Sequence, residues 1–132
     1  MIVLDAGAVI ALLRFEAGAS MTRRLIREQR GQCCMHALNV CEIYYGFARA
    51  SDVATAERAV QMLVGLGIIM REDMDAAFWK DAGTLKANHR LSLADCFALA
   101  LARRVGAELV TTDHHEMDVL VPLGLCPIRF IR

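Results

Sequence analysis

Two acidic residues directly follow strand-like segments of the sequence. Asp5 comes after the apolar run MIVL, and Asp113 comes after the segment ELVTT. In open α/β sheets, ligands bind beyond the carboxyl ends of the parallel strands, so both side chains are candidates for one shared site. Each carboxylate could instead only cap the helix that follows it, and for either residue alone capping is the better explanation.

Asp95 and Glu42 are two further candidates, and each also has a simpler explanation. Ser92 and Asp95 have the spacing of a capping box, in which a serine caps a helix and an acid three positions later reaches back to it. The helix that Asp95 opens is apolar almost all round, and a carboxylate on its buried side is costly unless a cation or several donors meet it. Glu42 lies opposite the apolar stripe of its own helix, as an ordinary solvent-facing glutamate does.

The acids taken together predict a chemistry that none of them predicts alone. If Asp5, Asp95 and Asp113 lie at one end of the sheet, their like charges oppose folding unless a hard cation neutralises them. Oxygen ligands favour Mg²⁺ or Mn²⁺ over zinc or copper. A carboxylate-held ion of this kind orients a water molecule for attack on a phosphate, so the hydrolysis of phosphodiester bonds fits the set.

Alternating strand-like and helical segments must position these acids. The strand-like segments are IVL, CCMHAL, GIIMRE, AELVTT and CPIRFIR. Residues of helical period lie between them, for example Val40, Ile43, Tyr44 and Phe47. This order predicts one α/β domain over residues 1–132, with a central parallel sheet of about four to five strands flanked by helices on both faces.

Composition limits the class of protein. The chain has 132 residues, of which 56% are hydrophobic and 23% charged, as expected of one globular domain. Charges interrupt every apolar run short of the roughly 18 residues that span a bilayer, and Asp5 interrupts any secretion signal, so we expect a cytoplasmic protein with no membrane partner. The five cysteines form no CxxC pair, which predicts reduced thiols.

Four segments of the sequence resemble the signature blocks of PIN-domain ribonucleases, specifically the VapC-type toxins of bacterial type II toxin–antitoxin pairs. The segments are MIVLDAGAVIALL, ALNVCEIYYGF, LSLADCFALALARR and ELVTTDHHEMD, in the order found in the family, and the closing PIRFIR resembles the tail of such toxins. The resemblance implies a single PIN-like domain and a ribonuclease that depends on Mg²⁺ or Mn²⁺.

The resemblance also implies roles for individual residues. The positions that match the acidic quartet of the family, which holds one or two metal ions for RNA cleavage, are Asp5, Glu42, Asp95 and Asp113. Thr111 matches a hydroxyl residue that supports the last acid, and Glu116 or Asp118 could assist a second ion. Where members of this kind commonly carry a serine, the chain has Gly7, and the loss of that hydroxyl would change metal affinity.

Three partners follow from the resemblance: an RNA substrate, a second copy of the chain in a homodimer, and a cognate VapB-like antitoxin whose tail lies across the active-site groove. The apolar segments AVIALLRF and EIYYGF also favour a homodimer, because they offer more hydrophobic surface than one small core hides. We expect the antitoxin groove near Leu12, Phe15, Ile43 and Tyr44.

Net charge is zero, so only local basic clusters are candidates for binding RNA. The first cluster comprises Arg23, Arg24, Arg27 and Arg30 on a predicted helix, and the second comprises Lys86, His89 and Arg90. Arg24, Arg27 and Arg90 are the candidate RNA-binding residues, although such runs are usually only solvated faces.

Two other functions are compatible with parts of the sequence. A phosphate-receiver domain is an α/β domain of similar size with an acidic pocket, but it needs adjacent acids after the first strand, where this chain has only Asp5. A catalytically weak or inactive PIN-fold interaction module would keep the acids without turnover, and Gly7 is the only feature that supports it.

Overall fold

Five short strands alternate with helices along the chain in the computed structural model, which describes residues 1–132. The strands are β1 (Ile2–Leu4), β2 (Cys33–His36), β3 (Ile69–Arg71), β4 (Glu108–Thr111) and β5 (Ile128–Phe130). The helices are α1 (Ala6–Leu13), α2 (Ala19–Glu28), α3 (Ala37–Ala50), α4 (Val53–Gly65), α5 (Ala76–Asn88), α6 (Leu93–Val105) and α7 (His114–Met117). A 3₁₀ helix over Asp118–Leu123 connects α7 to β5.

The strands form one parallel sheet in the order β3-β2-β1-β4-β5. Val3 in β1 pairs with Cys34 on one side and with Leu109 on the other. Since the chain builds outward from β1 first in one direction and then in the other, the strand order reverses between β1 and β4. Such a switch point, at the carboxyl ends of the strands, is where α/β proteins bind ligands.

Helices cover both faces of the sheet, as the sequence predicted. Side chains alternate along β1, so Ile2 and Leu4 pack with α1 to α4 while Val3 packs on the opposite face with α5 and α6. Eight of the 13 residues of α6 are buried, which explains why this helix is apolar on nearly every side. The α/β architecture with a five-stranded parallel sheet is therefore confirmed.

Three details differ from the sequence predictions. The predicted strand CCMHAL ends at His36, because the His36 imidazole caps α3 by accepting the Leu38 amide at 3.0 Å. Helix α2 ends at Glu28, so Arg30 does not share a helical face with the other arginines. Leu12 is 6% exposed and Ile43 is 0% exposed, so the prediction that these two residues line an open groove is wrong: their apolar side chains complete the core.

All five cysteines are free thiols, and three of them are buried in the core. None of the helices combines the length and the apolar character that a membrane crossing requires.

Candidate active site

An acidic cavity of about 440 Å³ lies at the carboxyl ends of the central strands. Five carboxylates line it: Asp5, Glu42, Asp95, Asp113 and Glu116. The remaining lining residues are Ala6, Gly7, Ile10, Ser92, Thr112 and Arg132. The structure thus brings together the four acids of the predicted quartet, and it adds Glu116 to them.

Asp5 follows β1 directly and begins α1. Its Oδ1 accepts the amide of Ala8 at 2.8 Å, so the carboxylate caps the helix while the residue is only 3% exposed. Burial raises the pKa of Asp5 to about 7, the charges of Asp95 and Asp113 contribute in the same direction, and hydrogen bonds from Thr111 and Ala8 oppose them. A carboxylate this buried, with no basic partner, is costly for the fold.

Asp113 repeats this arrangement after β4. Its Oδ1 accepts the amide of Glu116 at 3.0 Å and caps α7. Its own amide donates to the Thr111 hydroxyl at 2.9 Å, and Thr111 is fully buried. In both strand-end acids one carboxylate oxygen is used by the cap, which leaves the second oxygen without a backbone partner.

Asp95 lies in the first turn of α6, where the Ser92 hydroxyl is the cap and accepts the Asp95 amide at 3.0 Å. Burial raises the pKa of the half-buried Asp95 carboxyl, and the charges of Asp113 and Glu116 raise it further, while hydrogen bonding to Ser92 opposes both. The Asp95 carboxylate in turn bonds back to the Ser92 hydroxyl and backbone amide, so the predicted capping box is present, and the same carboxylate also lines the acidic cavity.

Glu42 is held half-buried on α3 instead of facing solvent. Burial raises the pKa of Glu42, and the nearby charge of Asp95 adds to the effect. Asn39, one turn earlier, is 1% exposed: its side chain accepts the Ala6 amide at 3.4 Å and donates to the Ala94 carbonyl at 3.3 Å. Asn39 therefore ties together the three helices that carry Asp5, Glu42 and Asp95.

The space beside Gly7 is occupied by another hydroxyl. A Cβ atom on Gly7 would lie 2.6 Å from Thr112 Oγ1, closer than real Cβ contacts come. Thr112 therefore places its hydroxyl where a side chain at position 7 would begin, and it lines the same cavity. The sequence reasoning overlooked both Asn39 and Thr112. The available sequence signal for each residue was its polar side chain within an apolar segment, ALNV for Asn39 and LVTT for Thr112.

Arg132 is the one basic residue that lines the acidic cavity, and the sequence reasoning overlooked it as well. Its guanidinium reaches Glu16 at 3.9 Å, and its carbonyl oxygen lies 2.6 Å from His114 Nε2. His114 also contacts the Asp118 carboxylate at 3.0 Å and stacks on Phe130. Asp118 is thus engaged outside the cavity, and one guanidinium faces five carboxylates within it.

Of the candidate RNA-binding residues, none lines the acidic cavity. Arg24 pairs with Glu28 on the exposed face of α2 at 3.5 Å. Arg27 is also exposed on α2, whereas Arg90 lies in the loop between α5 and α6.

The donor set of the cavity fits a hydrated divalent ion. The lining residues offer only oxygen ligands, apart from the guanidinium of Arg132. No three acidic, histidine or cysteine side chains converge as a preformed coordination shell. Mg²⁺ does not require such a shell, because it keeps several of its waters and binds through one or two carboxylates. Unpaired carboxylates around a cavity with room for water satisfy this requirement.

The PIN domain model matches residues 2–119, and the chain therefore belongs to the PIN-domain family. No curated protein matches the sequence. Among solved structures, a toxin–antitoxin complex from Klebsiella pneumoniae is 14% identical with a TM-score of 0.74, and 100% of this chain and 98% of that chain are covered.

Two other solved structures share the fold. A DNA-bound VapBC complex from Salmonella typhimurium has a TM-score of 0.75 at 14% identity, with 99% of this chain and 98% of that chain covered. Mycobacterium tuberculosis VapC20, described as a toxin that cleaves the sarcin–ricin loop, has a TM-score of 0.72 at 17% identity, with 90% of this chain and 95% of that chain covered.

Proposed function

We propose that residues 1–132 act as one PIN domain that is the toxin of a type II toxin–antitoxin pair and hydrolyses RNA phosphodiester bonds with Mg²⁺ or Mn²⁺. The observation that carries the proposal is the cavity at the switch point of the sheet, where five carboxylates meet one guanidinium. Strongly perturbed carboxylates in a cleft are characteristic of functional sites. Membership of the PIN family and the similarity in fold to VapC20 support RNA as the substrate.

When bound, the ion would orient a water molecule and neutralise charge on the phosphate under attack. Asp5 and Asp113 would contribute the carboxylate oxygens that their helix caps leave free. Asp95, at the start of α6, would complete the set from a third element. Glu42 and Glu116, which line the same cavity, would hold waters of the ion or orient the attacking water.

A cognate VapB-like antitoxin is the proposed protein partner. One structure that shares this fold is described as a toxin–antitoxin complex and another as DNA-bound VapBC, which supports an antitoxin here. Phe15, 81% exposed beside the Glu16–Arg132 contact, and Tyr44 remain from the predicted groove as accessible apolar contacts for such a partner.

A homodimer in the cytoplasm is the proposed assembly. An apolar cavity of about 480 Å³ lies between the starts of α3 and α6, where Met74 is 54% and Leu93 50% exposed. Exposed apolar surface of this kind is typical of an interface. Light scattering of the parent and of Leu93→Glu tests it: a dimer that becomes a monomer supports the contact, and a monomeric parent refutes the dimer.

Incubation of single-stranded RNA with the purified protein tests the activity. We expect cleavage with millimolar Mg²⁺ or Mn²⁺, none with chelator, and a loss of at least about a hundredfold in Asp95→Asn. The alternative is a catalytically weak or inactive PIN-fold module, which would bind metal without turnover. Metal-dependent stabilisation without any cleavage of RNA would favour the alternative and refute the enzyme. The Thr112 hydroxyl close to Gly7 supports the active enzyme, because it could stand in for the hydroxyl that position 7 lacks.

A further inference from the structure

A second cavity, of about 400 Å³, adjoins the acidic cavity. Its lining residues are Asn88, His89, Arg90, Leu91, His115, Glu116 and Val119. Glu116 lines both cavities, and the consecutive residues Leu91 and Ser92 line one each. A polymer bound across the acidic cavity would therefore extend directly into the second one.

The two cavities differ in charge. The second cavity has one guanidinium, two imidazoles and one amide beside the single carboxylate that it shares with the first. Arg90 is exposed and takes part in no salt bridge, so its donors are free. A guanidinium binds phosphate through two parallel hydrogen bonds, while imidazole rings stack on unpaired bases and bond to their edges.

Both walls of the second cavity are fixed by contacts beneath them. In the α5–α6 loop, the Lys86 ammonium donates to the Leu91 carbonyl at 2.5 Å, and the His89 amide donates to the Leu85 carbonyl at 3.0 Å. On the other wall, His115 lies on α7, which is capped by the Asp113 carboxylate and anchored in the core by the fully buried Met117. The charged and polar groups are therefore presented on a frame that needs little ordering when a ligand binds.

We propose that this second cavity binds the nucleotide next to the scissile phosphodiester, with Arg90 on its phosphate and His89 and His115 on its base. The inference rests on the proposed function. A metal ion held by the carboxylates of the acidic cavity could bind one phosphate, but the same carboxylates repel the neighbouring phosphate. That neighbouring phosphate needs a fixed cation at the edge of the acidic cavity, and Arg90 is in the adjoining wall.

Steady-state cleavage of single-stranded RNA in Mg²⁺ tests the role of Arg90. Arg90→Ala should raise KM by about tenfold with little change in kcat, as expected when one charge-assisted hydrogen bond to bound substrate is lost. Lys80→Ala is the matched control, because it removes the same charge from the far end of α5, where the ammonium lies over Trp79. Arg90→Lys should restore only part of the affinity, since an ammonium cannot make the paired contact.

Photo-crosslinking provides a readout that does not depend on turnover. RNA that contains 4-thiouridine, bound to Asp95→Asn in Mg²⁺ and irradiated, should crosslink to peptides that carry His89 or His115. Crosslinks confined to α2, or equal KM values for Arg90→Ala and Lys80→Ala, would overturn this inference while parental cleavage persists. A parent that cuts no RNA would instead refute the proposed function itself.

Discussion

Two groups of aspartates lie at the carboxyl-end edge of the same sheet, and their charges are balanced in opposite ways. Asp73 follows β3, and its carboxylate accepts hydrogen bonds from Arg71 at 2.8 and 2.9 Å and from Arg104 at 3.1 Å. Arg104 also bonds to Asp75. The hydrogen bonds from Arg71 hold the pKa of Asp73 below its ordinary value. In the acidic cavity, burial without such a partner raises the pKa of Asp5 and of Asp95.

Burial and charged partners together decide how a carboxylate behaves in this protein. The Asp73 side chain is 11% exposed, and its pKa falls because two guanidinium groups replace the lost water. Asp5 is more deeply buried, and its pKa rises because no cation offsets the burial. Arginines pair with Asp73 and Asp75, which form the closed cluster. Asp5 and Asp95 in the acidic cavity have no arginine partner and belong to the open cluster. This is the arrangement expected of a structural network beside a metal site.

The largest effect should come from removing one charge from the open cluster. Asp95→Asn should reduce RNA cleavage at least about a hundredfold, since the loss of groups that only support metal ligands already costs about ten- to a hundredfold. The metal-free variant should melt higher than the parent, because repulsion is relieved. Mg²⁺ should stabilise the variant less, because a ligand is missing.

Thermal unfolding with chelator and with Mg²⁺, beside a cleavage assay, measures all three quantities for Asp95→Asn. Asp75→Asn, which removes a charge from the arginine-paired cluster, is the control. It should lower the melting temperature and leave cleavage intact. An Asp95 variant that melts lower in both conditions and still cuts RNA would contradict the metal site.

The two clusters should also have opposite effects on stability as pH changes. The folded-state pKa of Asp5, about 7, lies above its ordinary value of 3.8, so its favourable contribution is complete below pH 3.8 and is lost as pH rises through about 7. The pKa of Asp73 is lowered, so its contribution is present at neutral pH and is lost as pH falls through the folded pKa.

Denaturant titrations of the parent and Asp5→Asn in chelator, between pH 4 and 8, test the predicted direction of the pH dependence for Asp5. As pH rises over that range, the free energy of unfolding of the parent should fall by on the order of 4 kcal/mol relative to that of the variant. Mg²⁺ should reverse the loss, because it binds the ionised form. A parent and a variant with parallel pH profiles would show that Asp5 ionises normally in the folded protein.

Removing an arginine should make the closed cluster resemble the open one. Arg71→Ala leaves Asp73 with Arg104 alone and should lower the free energy of unfolding by about 1–3 kcal/mol, as expected for a buried acceptor that loses a charged donor. Added Mg²⁺ should not rescue the variant, because Arg104 still pairs with Asp73 and Asp75. Cleavage by the folded fraction should equal that of the parent, since Arg71 lies outside the acidic cavity.

The smallest effect concerns the hydroxyl beside Gly7. Gly7→Ser forces a Cβ to within 2.6 Å of Thr112 Oγ1, so Thr112 must move and Mg²⁺ affinity should fall by about tenfold. Combining it with Thr112→Ala should recover most of that affinity, because the hydroxyl then comes from position 7. Magnesium titrations of the two single variants and the double variant measure the coupling. Strictly additive losses would show that the two positions do not share one space.

Local patterns in the sequence were sufficient for the elements and for the family resemblance. Alternation of strand and helix predicted the parallel sheet, and Ser92 three residues before Asp95 predicted the start of α6. These features depend on neighbours within a few positions, so the sequence contains them directly. The acids could likewise be named from their places after strands and within the family blocks.

Only the tertiary structure decided which acids are neutralised and what surrounds them. Arg104 reaches Asp73 across 31 positions of the chain, and Asn39 reaches Ala94 across 55. The resemblance placed the antitoxin groove near Leu12 and Ile43, but the packing of their helices on the sheet buries both side chains. Distances through space between side chains far apart in the chain follow from how the helices pack on the sheet, and no local pattern specifies that packing.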